Sequence, residues 1–371
     1  MSETPEITAI LTTHNRAHLL PRVLDGLVAQ RLGHNRFEVI AIDDESMDHT
    51  QLVLGAYRSR LPLRIQRQGQ GGLAAAKNIG VFLSRAPILV FLDDDDVPDP
   101  DLLLAHLGAH ISYRDVGVAV LGQTVLHPAI ADLPVMQHVT GAGSQLFSHS
   151  WMSPGQMLGF REFWGGRSSC KRALLTEHGV FNPIFRFGCE DIELGWRLHL
   201  AAHLRVLYEP AARTTMIRAL SFDDFCRRSN RQGRSQWIFA QLHSSATVRD
   251  YCEIDAALAA WASLRTDFAH VIRHARALDE MMQRRGRQAP PLAAETQADL
   301  DAAYANAFRL CRIKGIVDAA SLPQTVLAPE AFDIAAVNLF GARARQAPFR
   351  DPAADPLPAG HSGSPDWPAP S

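Results

Sequence analysis

Residues 88–96 read ILVFLDDDD. Ile88–Leu92 is an apolar run of strand length with no polar interruption. That pattern marks a strand buried on both faces, as in the parallel sheets of α/β proteins. Four carboxylates follow at once: Asp93, Asp94, Asp95 and Asp96. In such sheets ligands bind at the carboxyl ends of the strands, so these acids stand where a ligand is expected. Side by side they repel one another, and a divalent cation relieves that repulsion. Oxygen-only ligands suit a hard ion, Mn²⁺ or Mg²⁺, that takes further ligands from water and substrate phosphates. The plainer reading is a capped turn, because Asp99, Pro100 and Asp101 signal a helix start. Capping uses one acid, and four are present.

The chain upstream alternates strand and helix patterns. Strands are expected over Ile7–Thr12, Phe37–Ile42 and Leu63–Gln66. Helices are expected over His18–Gln30, Asp48–Arg60 and Leu73–Ser84. This alternation implies βαβ units and a mainly parallel sheet. Downstream come a helix over Asp101–Ser112 and a strand over Val116–Leu121. His127–Gly159, rich in Gly, Ser, Pro and His, reads as long loops that cover a site. A helix from Glu190 to Ala202 precedes a strand at Leu204–Tyr208. From Ser221 the pattern is helical and alanine-rich. Arg284–Pro291 reads as a linker, and the Pro/Ala/Gly/Ser-dense residues after Ala342 as disordered. The fold class is α/β, a mainly parallel mixed sheet flanked by helices, with a helical C-terminal extension.

The 371 residues carry a formal net charge of −2, which gives no global drive toward nucleic acid. Cys170, Cys189, Cys226, Cys252 and Cys311 are odd in number and lack CxxC spacing. That argues against a zinc site or a disulfide scaffold and fits a reducing compartment. The opening MSETPEITAILTTHNR has no signal-peptide pattern. No apolar run approaches the ~20 residues that cross a bilayer. The expected location is the cytoplasm, with peripheral membrane contact left open.

Other segments carry candidate chemistry. Asp43, Asp44 and Ser46 follow the second strand, where an acid accepts hydrogen bonds from a base or ribose; an Asp/Ser-rich turn explains them equally well. Gln68–Gly80, QGQGGLAAAKNIG, lets a backbone turn approach a ligand, and Lys77 in the next helix has the length to reach a phosphate. Neither GxxxxGK[ST] nor a placed GxGxxG is present, which weakens ATPase and dinucleotide readings. Phe187–Leu198, FGCEDIELGWRL, crowds Glu190, Asp191 and Glu193 at a helix start. Acids there cap the helix dipole, or one of them is a general base for an acceptor hydroxyl. Phe163–Arg172, FWGGRSSCKR, offers Trp164 to stack on a sugar, with Gly165 and Gly166 allowing close approach; a core Trp beside a turn explains it equally well. Arg227, Arg231 and Arg234 form a basic stripe at helical spacing, either a solvated face or a clamp for a departing pyrophosphate.

Taken in order, TTHNR, IDDES, GGLAAAKNIG, FLDDDD, GGRSSCKR and FGCEDIELGWRL resemble the family-2 glycosyltransferases of the GT-A fold, over about Ile7 to Ser235. The last two motifs are also similar to the C-terminal half of galactosyltransferase families. The resemblance implies a Rossmann-like GT-A domain over 1–240, with a nucleotide-binding half at 1–96 and an acceptor-binding half at 97–240. The extension is then 241–341 and the tail 342–371. It places Thr13, Asn15 and Arg16 beside the nucleotide and Asp43 or Asp44 on the base or ribose. Lys77, Arg231 and Arg234 join them at the donor. It makes Asp93 and Asp95 the DxD pair, Asp94 a donor contact between them, and Asp95 the foremost metal ligand. Asp191 falls on the catalytic base, with Glu190 beside it, and Trp164, Gly165 and Gly166 on the acceptor side. The implied reaction is inverting displacement from a UDP-linked sugar, UDP being favoured by family frequency alone. The acceptor is a glycan, a lipid-linked glycan or a small molecule. Two departures stand out. Met216 lies near the place where many relatives carry a metal-closing His, as ligand or as core. Arg167 replaces a usual Asn. A nucleotidyltransferase, which needs a longer phosphate loop than TTHNRAHLL, and a non-catalytic sugar-nucleotide-binding scaffold are the alternatives. The C-terminal helices are candidates for oligomer contacts.

Overall fold

The computed structural model of the protein describes residues 4–285 and 293–322. Most of the expected linker, the end of the expected extension and the expected tail lie outside these residues.

The first half follows the predicted alternation. It runs β1 (Ile7–Thr13), α1 (Leu20–Val28), β2 (Phe37–Asp44), α2 (Thr50–Ala56), β3 (Leu63–Gln68), α3 (Leu73–Leu83) and β4 (Ile88–Leu92). Every residue of β1, β2 and β4 is buried, which is why these strands are dominated by apolar residues, without a break in β4. β1 pairs in parallel with β2 and β4, and β2 with β3. Thr13 is in register with Asp43, and Leu11 with Leu92. The chain therefore leaves β1, β2 and β4 along one sheet edge, and the candidate acids gather there.

The second half runs β5 (Asp96–Pro98), α4 (Leu102–Ser112), β6 (Val118–Leu126), α5 (Pro128–Ala131), α6 (Pro134–Thr140), β7 (Met157–Leu158), β8 (Ser168–Lys171), α7 (Arg172–His178), α8 (Glu190–Ala202) and β9 (Arg205–Met216). The sheet has nine strands in the order β3-β2-β1-β4-β8-β6-β9-β5, with β7 added against β9. β8 lies antiparallel between β4 and β6. Its sequence, SSCK, lacks apolar alternation, so it escapes a hydrophobicity reading. His127–Gly159 is not loop throughout: α5 and α6 each open on a proline, a residue suited to the first helical turn. β9 runs well past Tyr208 to Met216, because its second part pairs with both β6 and β5.

The C-terminal part holds α9 (Phe222–Leu242), α10 (Ala246–Cys252), α11 (Ile254–Leu264), α12 (Phe268–Arg285) and α13 (Ala294–Ala320). Ser221 and Asp224 close a capping box that starts α9. Residue 240 is no structural boundary, since α9 runs through it. Val248, Cys252, Ile254, Ile313 and Ile316 share one buried cluster with Phe91 and Leu121 of the sheet. Where α9 crosses α13, a Cβ on Gly233 would stand 2.0 Å from the Arg312 carbonyl oxygen, and one on Gly315 2.0 Å from that of Asn230. Only glycines permit that backbone approach. The extension is thus part of the same packed body. Among the described residues no helix is long and apolar enough to cross a membrane.

Candidate active site

A cleft of about 1100 Å³ opens along the edge where β1, β2 and β4 end. Asp93, Asp94 and Asp95 line it, and Asp96 lies fully buried beneath. Each acid meets an arginine. Asp93 is 3.5 Å and Asp96 3.0 Å from Arg167, Asp94 is 3.7 Å from Arg16, and Asp95 pairs with Arg218. Burial, reinforced by Asp95, pushes Asp94 up to about 7. Burial likewise pushes Asp96 up to about 7, against the pull of Arg167. The carboxylates supply the hard oxygen donors expected for Mn²⁺ or Mg²⁺. Among the described residues, however, no group of three His, Cys, Asp or Glu side chains is placed to hold an ion by itself. These acids fit a metal only as a partial ligand set, completed by water or by donor phosphates.

The loops after β1 and β2 are laced together. Asn15, in the left-handed region at φ 53°, donates its backbone N–H to Ser46 Oγ at 2.8 Å and accepts the Met47 N–H at 2.8 Å. Asn15 therefore shapes the loop and stays outside the cleft lining, whereas Thr13 and Arg16 line it. The two acids of β2 divide. Asp43 is fully buried and accepts from the Ser46 N–H and Gln51. Asp44 lines the cleft and accepts the N–H groups of Gly71 and Gly72 at 2.8 and 2.9 Å. The glycine-rich turn is thereby folded onto Asp44.

Lys77 departs from expectation. It is 2% exposed, and its Nζ donates to Glu190 Oε1 at 3.1 Å, with the ammonium 5.1 Å from the Phe181 ring centre. The pair joins α3 to the start of α8, so Lys77 is already committed to a buried carboxylate. Glu190 Oε2 is buried with no hydrogen-bond partner among the described residues. Burial raises the Glu190 carboxyl, opposed by Lys77.

Gly188 and Cys189 precede α8 with φ of 74° and 65°, a left-handed turn that swings Glu190 and Asp191 into the cleft. Asp191 Oδ2 accepts the Gly165 N–H at 2.9 Å, and Oδ1 the Ile192 N–H at 2.8 Å. A Cβ on Gly166 would sit 1.9 Å from Asp93 Oδ2. The two glycines of GGRSSCKR thus hold the base candidate and the acid cluster at close quarters. Trp164 lines the same wall, and His149 packs edge-on to it at 5.4 Å. Burial pushes that imidazole down to about 4, so it packs as a neutral ring.

Two further expectations are corrected. Met216 is packed in an apolar cluster with Phe147, Leu220 and Phe222, and the side chain that reaches Asp95 from beyond β9 is Arg218. The thioether's place is core because Met216 ends a strand clamped between β5 and β6. On α9 the cleft face carries Phe225, Arg228, Ser229, Gln232 and Gln236 at three- and four-residue steps. Arg231 lies at its margin, and Arg234 lies outside the cleft, as does Arg227, which pairs with Asp224. Arg228, not singled out by the sequence, is the arginine of this helix drawn inward. Burial lowers its pKa, and its guanidinium stacks 5.3 Å from the Phe187 ring centre.

Residues 8–127 match the model of glycosyl transferase family 2. Validoxylamine A glucosyltransferase of Streptomyces hygroscopicus subsp. jinggangensis is 31% identical over 221 residues, covering 53% of this chain and 52% of that protein. Hyaluronan synthase of Pasteurella multocida is 26% identical over 224 residues, covering 52% of this chain and 22% of that protein. The chain thus spans about half the length of the first of these relatives, and less of the second. Residues 1–349 of S. aureus TarS, solved in complex with UDP, superpose with a TM-score of 0.50 at 14% identity, over 85% of this chain and 92% of that one, a likeness of fold. Residues 8–127 thus resemble glycosyl transferase family 2, and the architecture is that of the GT-A glycosyltransferases.

Proposed function

We propose that this protein transfers a sugar from a nucleotide donor, a UDP-sugar, to an acceptor hydroxyl with inversion at the anomeric carbon. One observation carries the reading. Asp191, oriented by the Gly165 N–H, faces the same cleft as Asp93–Asp95, next to a glycine contact that fixes the two groups relative to each other. The base is thereby held near the donor's reactive end, and holding reactants in place removes much of a transfer barrier.

In this reading Thr13, Arg16 and Asp44 border the nucleoside and its phosphates. Asp95 and Asp93 would hold a divalent ion, which when bound supplies positive charge to the departing diphosphate. Arg218 and Arg228 face the same region and serve that charge from the protein side. Asp191 accepts the proton of the acceptor hydroxyl as its oxygen attacks the anomeric carbon. Glu190 Oε2, without a partner among the described residues, accepts a hydrogen bond from a sugar hydroxyl. Trp164 offers its face to the acceptor.

Thermal unfolding with UDP, GDP, dTDP and CMP, each with Mn²⁺, Mg²⁺ or EDTA, tests the donor site, because a ligand of the native state alone raises Tm. A shift with UDP that shrinks in EDTA is expected. No shift with any nucleotide overturns the donor reading.

A further inference from the structure

The cleft holds two sets of arginines. Arg16, Arg167 and Arg218 each stand against a carboxylate of the acid cluster. Arg186, Arg231 and Arg309 line the same cleft, are exposed, and have no carboxylate within ion-pair distance among the described residues. They come from the loop ahead of α8, from α9 and from α13. The helices that carry Arg231 and Arg309 are fastened in place. The Arg231 guanidinium lies 5.5 Å from the Phe187 ring centre. Ser235 Oγ donates to the Phe187 carbonyl at 2.7 Å, and Gln232 Nε2 to Cys189 Sγ at 3.2 Å, so α9 is fastened to the turn that presents Asp191. On α13 the cleft face is Ala305, Phe308, Arg309 and Arg312 at helical spacing. Phe308 packs on Phe225 of α9 at 4.6 Å, and Arg312 is held by Glu253 and Gln236. Arg309 is the arginine of that stripe with no carboxylate partner among the described residues.

Resting on the reading of the cleft as a glycosyltransferase site, we propose that this wall is an acceptor subsite for an anionic group. The acceptor then carries a phosphate or a carboxylate beside the hydroxyl that Asp191 deprotonates. The charges of a donor diphosphate are answered by the inner arginines and the cation that the acid cluster invites. Arg231 stands on the helix fastened to the turn that presents Asp191, Arg309 on the helix crossing it, and guanidinium groups bind phosphate and carboxylate through paired hydrogen bonds. Arg231 thereby moves from the pyrophosphate clamp expected of it to the acceptor side. The C-terminal helices acquire a role: α13 completes a substrate wall.

The test is calorimetric titration of glycerol 3-phosphate, glycerate and glycerol into the full chain saturated with UDP and Mg²⁺, so that the donor-phosphate groups are filled. The anions are expected to bind and glycerol not to. A stronger phosphate arm names a phosphorylated acceptor, and a stronger glycerate arm a carboxylated one. Arg309→Ala and Arg231→Ala should each weaken the anion about tenfold or more, as loss of a charge-assisted hydrogen bond does. Arg309→Lys should lose less, and the UDP affinity of Arg309→Ala should stay that of the unaltered chain. The proposal falls if the anions bind only by displacing UDP, or if both alanine variants bind them unchanged. Failure of UDP itself to bind is a separate result. It removes the donor reading, while the same titration on the unloaded chain still reads the arginines.

Discussion

Replacing Lys77 by Met separates a phosphate-binding lysine from a structural one. The Nζ–Oε1 distance to Glu190 is 3.1 Å, and the two side chains are 2% and 4% exposed. Met keeps the stem's packing and removes the charge, which leaves Glu190 buried without its cation. Breaking such a pair from one side costs about 3–5 kcal/mol. At about 2 °C per kcal/mol for a chain of this size, that is a fall in Tm of roughly 6–10 °C. The pH dependence has a definite sign. Glu190 has its folded pKa raised, so its contribution to stability is fully present below its ordinary range and is lost as pH rises through the raised value. The Lys77→Met deficit should therefore be largest near neutral pH and shrink in acid, where the carboxyl is neutral. Adding Glu190→Gln should restore most of the loss, because the double variant buries no charge. Thermal unfolding of the four chains of this cycle, each at acid and neutral pH with and without UDP, is the assay. A Lys77→Met chain of full stability and weakened UDP affinity would refute the buried-pair account and return Lys77 to the phosphates.

Further outcomes follow from the same geometry. Asp191→Asn should lower the transfer rate about 10²–10⁴-fold while UDP binding persists, since the amide oxygen can still accept the Gly165 N–H and only the Ile192 N–H loses its acceptor; steady-state kinetics with a UDP-sugar reads this. Gly166→Ala places a Cβ 1.9 Å from Asp93 Oδ2. The displaced carboxylate should cost transfer on the order of a hundredfold, measured alongside UDP affinity. Arg218→Ala frees Asp95 from its guanidinium, so Mn²⁺ affinity by titration should rise even as transfer falls. Unchanged Mn²⁺ affinity would show that Arg218 and the ion do not compete for that carboxylate.

How much of this is legible in the sequence varies by element. β1, β2 and β4 are, because burial on both faces leaves strands that are mostly apolar, broken only by Thr8 in β1 and Glu38 in β2 before their strand ends. So is the edge where Thr13, Asp44 and Asp93 meet, because a parallel sheet places its strand ends together. β8 is not: it takes its pairing from two neighbours and needs no apolar alternation of its own, so SSCK reads as loop. Met216 illustrates a different limit. The resemblance leaves it open as ligand or core, and strand pairing decides which of Met216 and Arg218 turns toward Asp95; the pairing of β9 with β5 is a tertiary fact. On α9 an error in helical phase is enough to choose Arg234 over Arg228. Phe222, Phe225 and Ser229 carry the phase, and extending their three- and four-residue step points to Arg228 and Gln232. The contribution of α13 is beyond local reading altogether, since Arg309 lies 118 residues after Asp191 (309 − 191) and reaches the cleft only through the glycine crossing with α9.

The arrangement of charge also explains how four consecutive aspartates can be tolerated at a buried strand end. Isolated, they would be costly, since buried ionised carboxylates need partners. Arg167 spans Asp93 and Asp96, Arg16 meets Asp94, and Arg218 meets Asp95. These arginines leave from three separate elements, so the cluster ties the β1 loop, the start of β8 and the segment after β9 to the end of β4. A donor entering with its diphosphate and a cation brings both signs of charge into this set. On the proposed reading, a cation held by Asp95 would compete with Arg218 for that carboxylate, and the diphosphate would offer Arg218 a new partner. Such an exchange of one guanidinium from carboxylate to phosphate would keep the charges of this set answered as the donor binds. On this account Arg16 and Arg167 hold the acids in place, Arg218 is the arginine that changes partner, and its loss should affect metal and nucleotide in opposite directions.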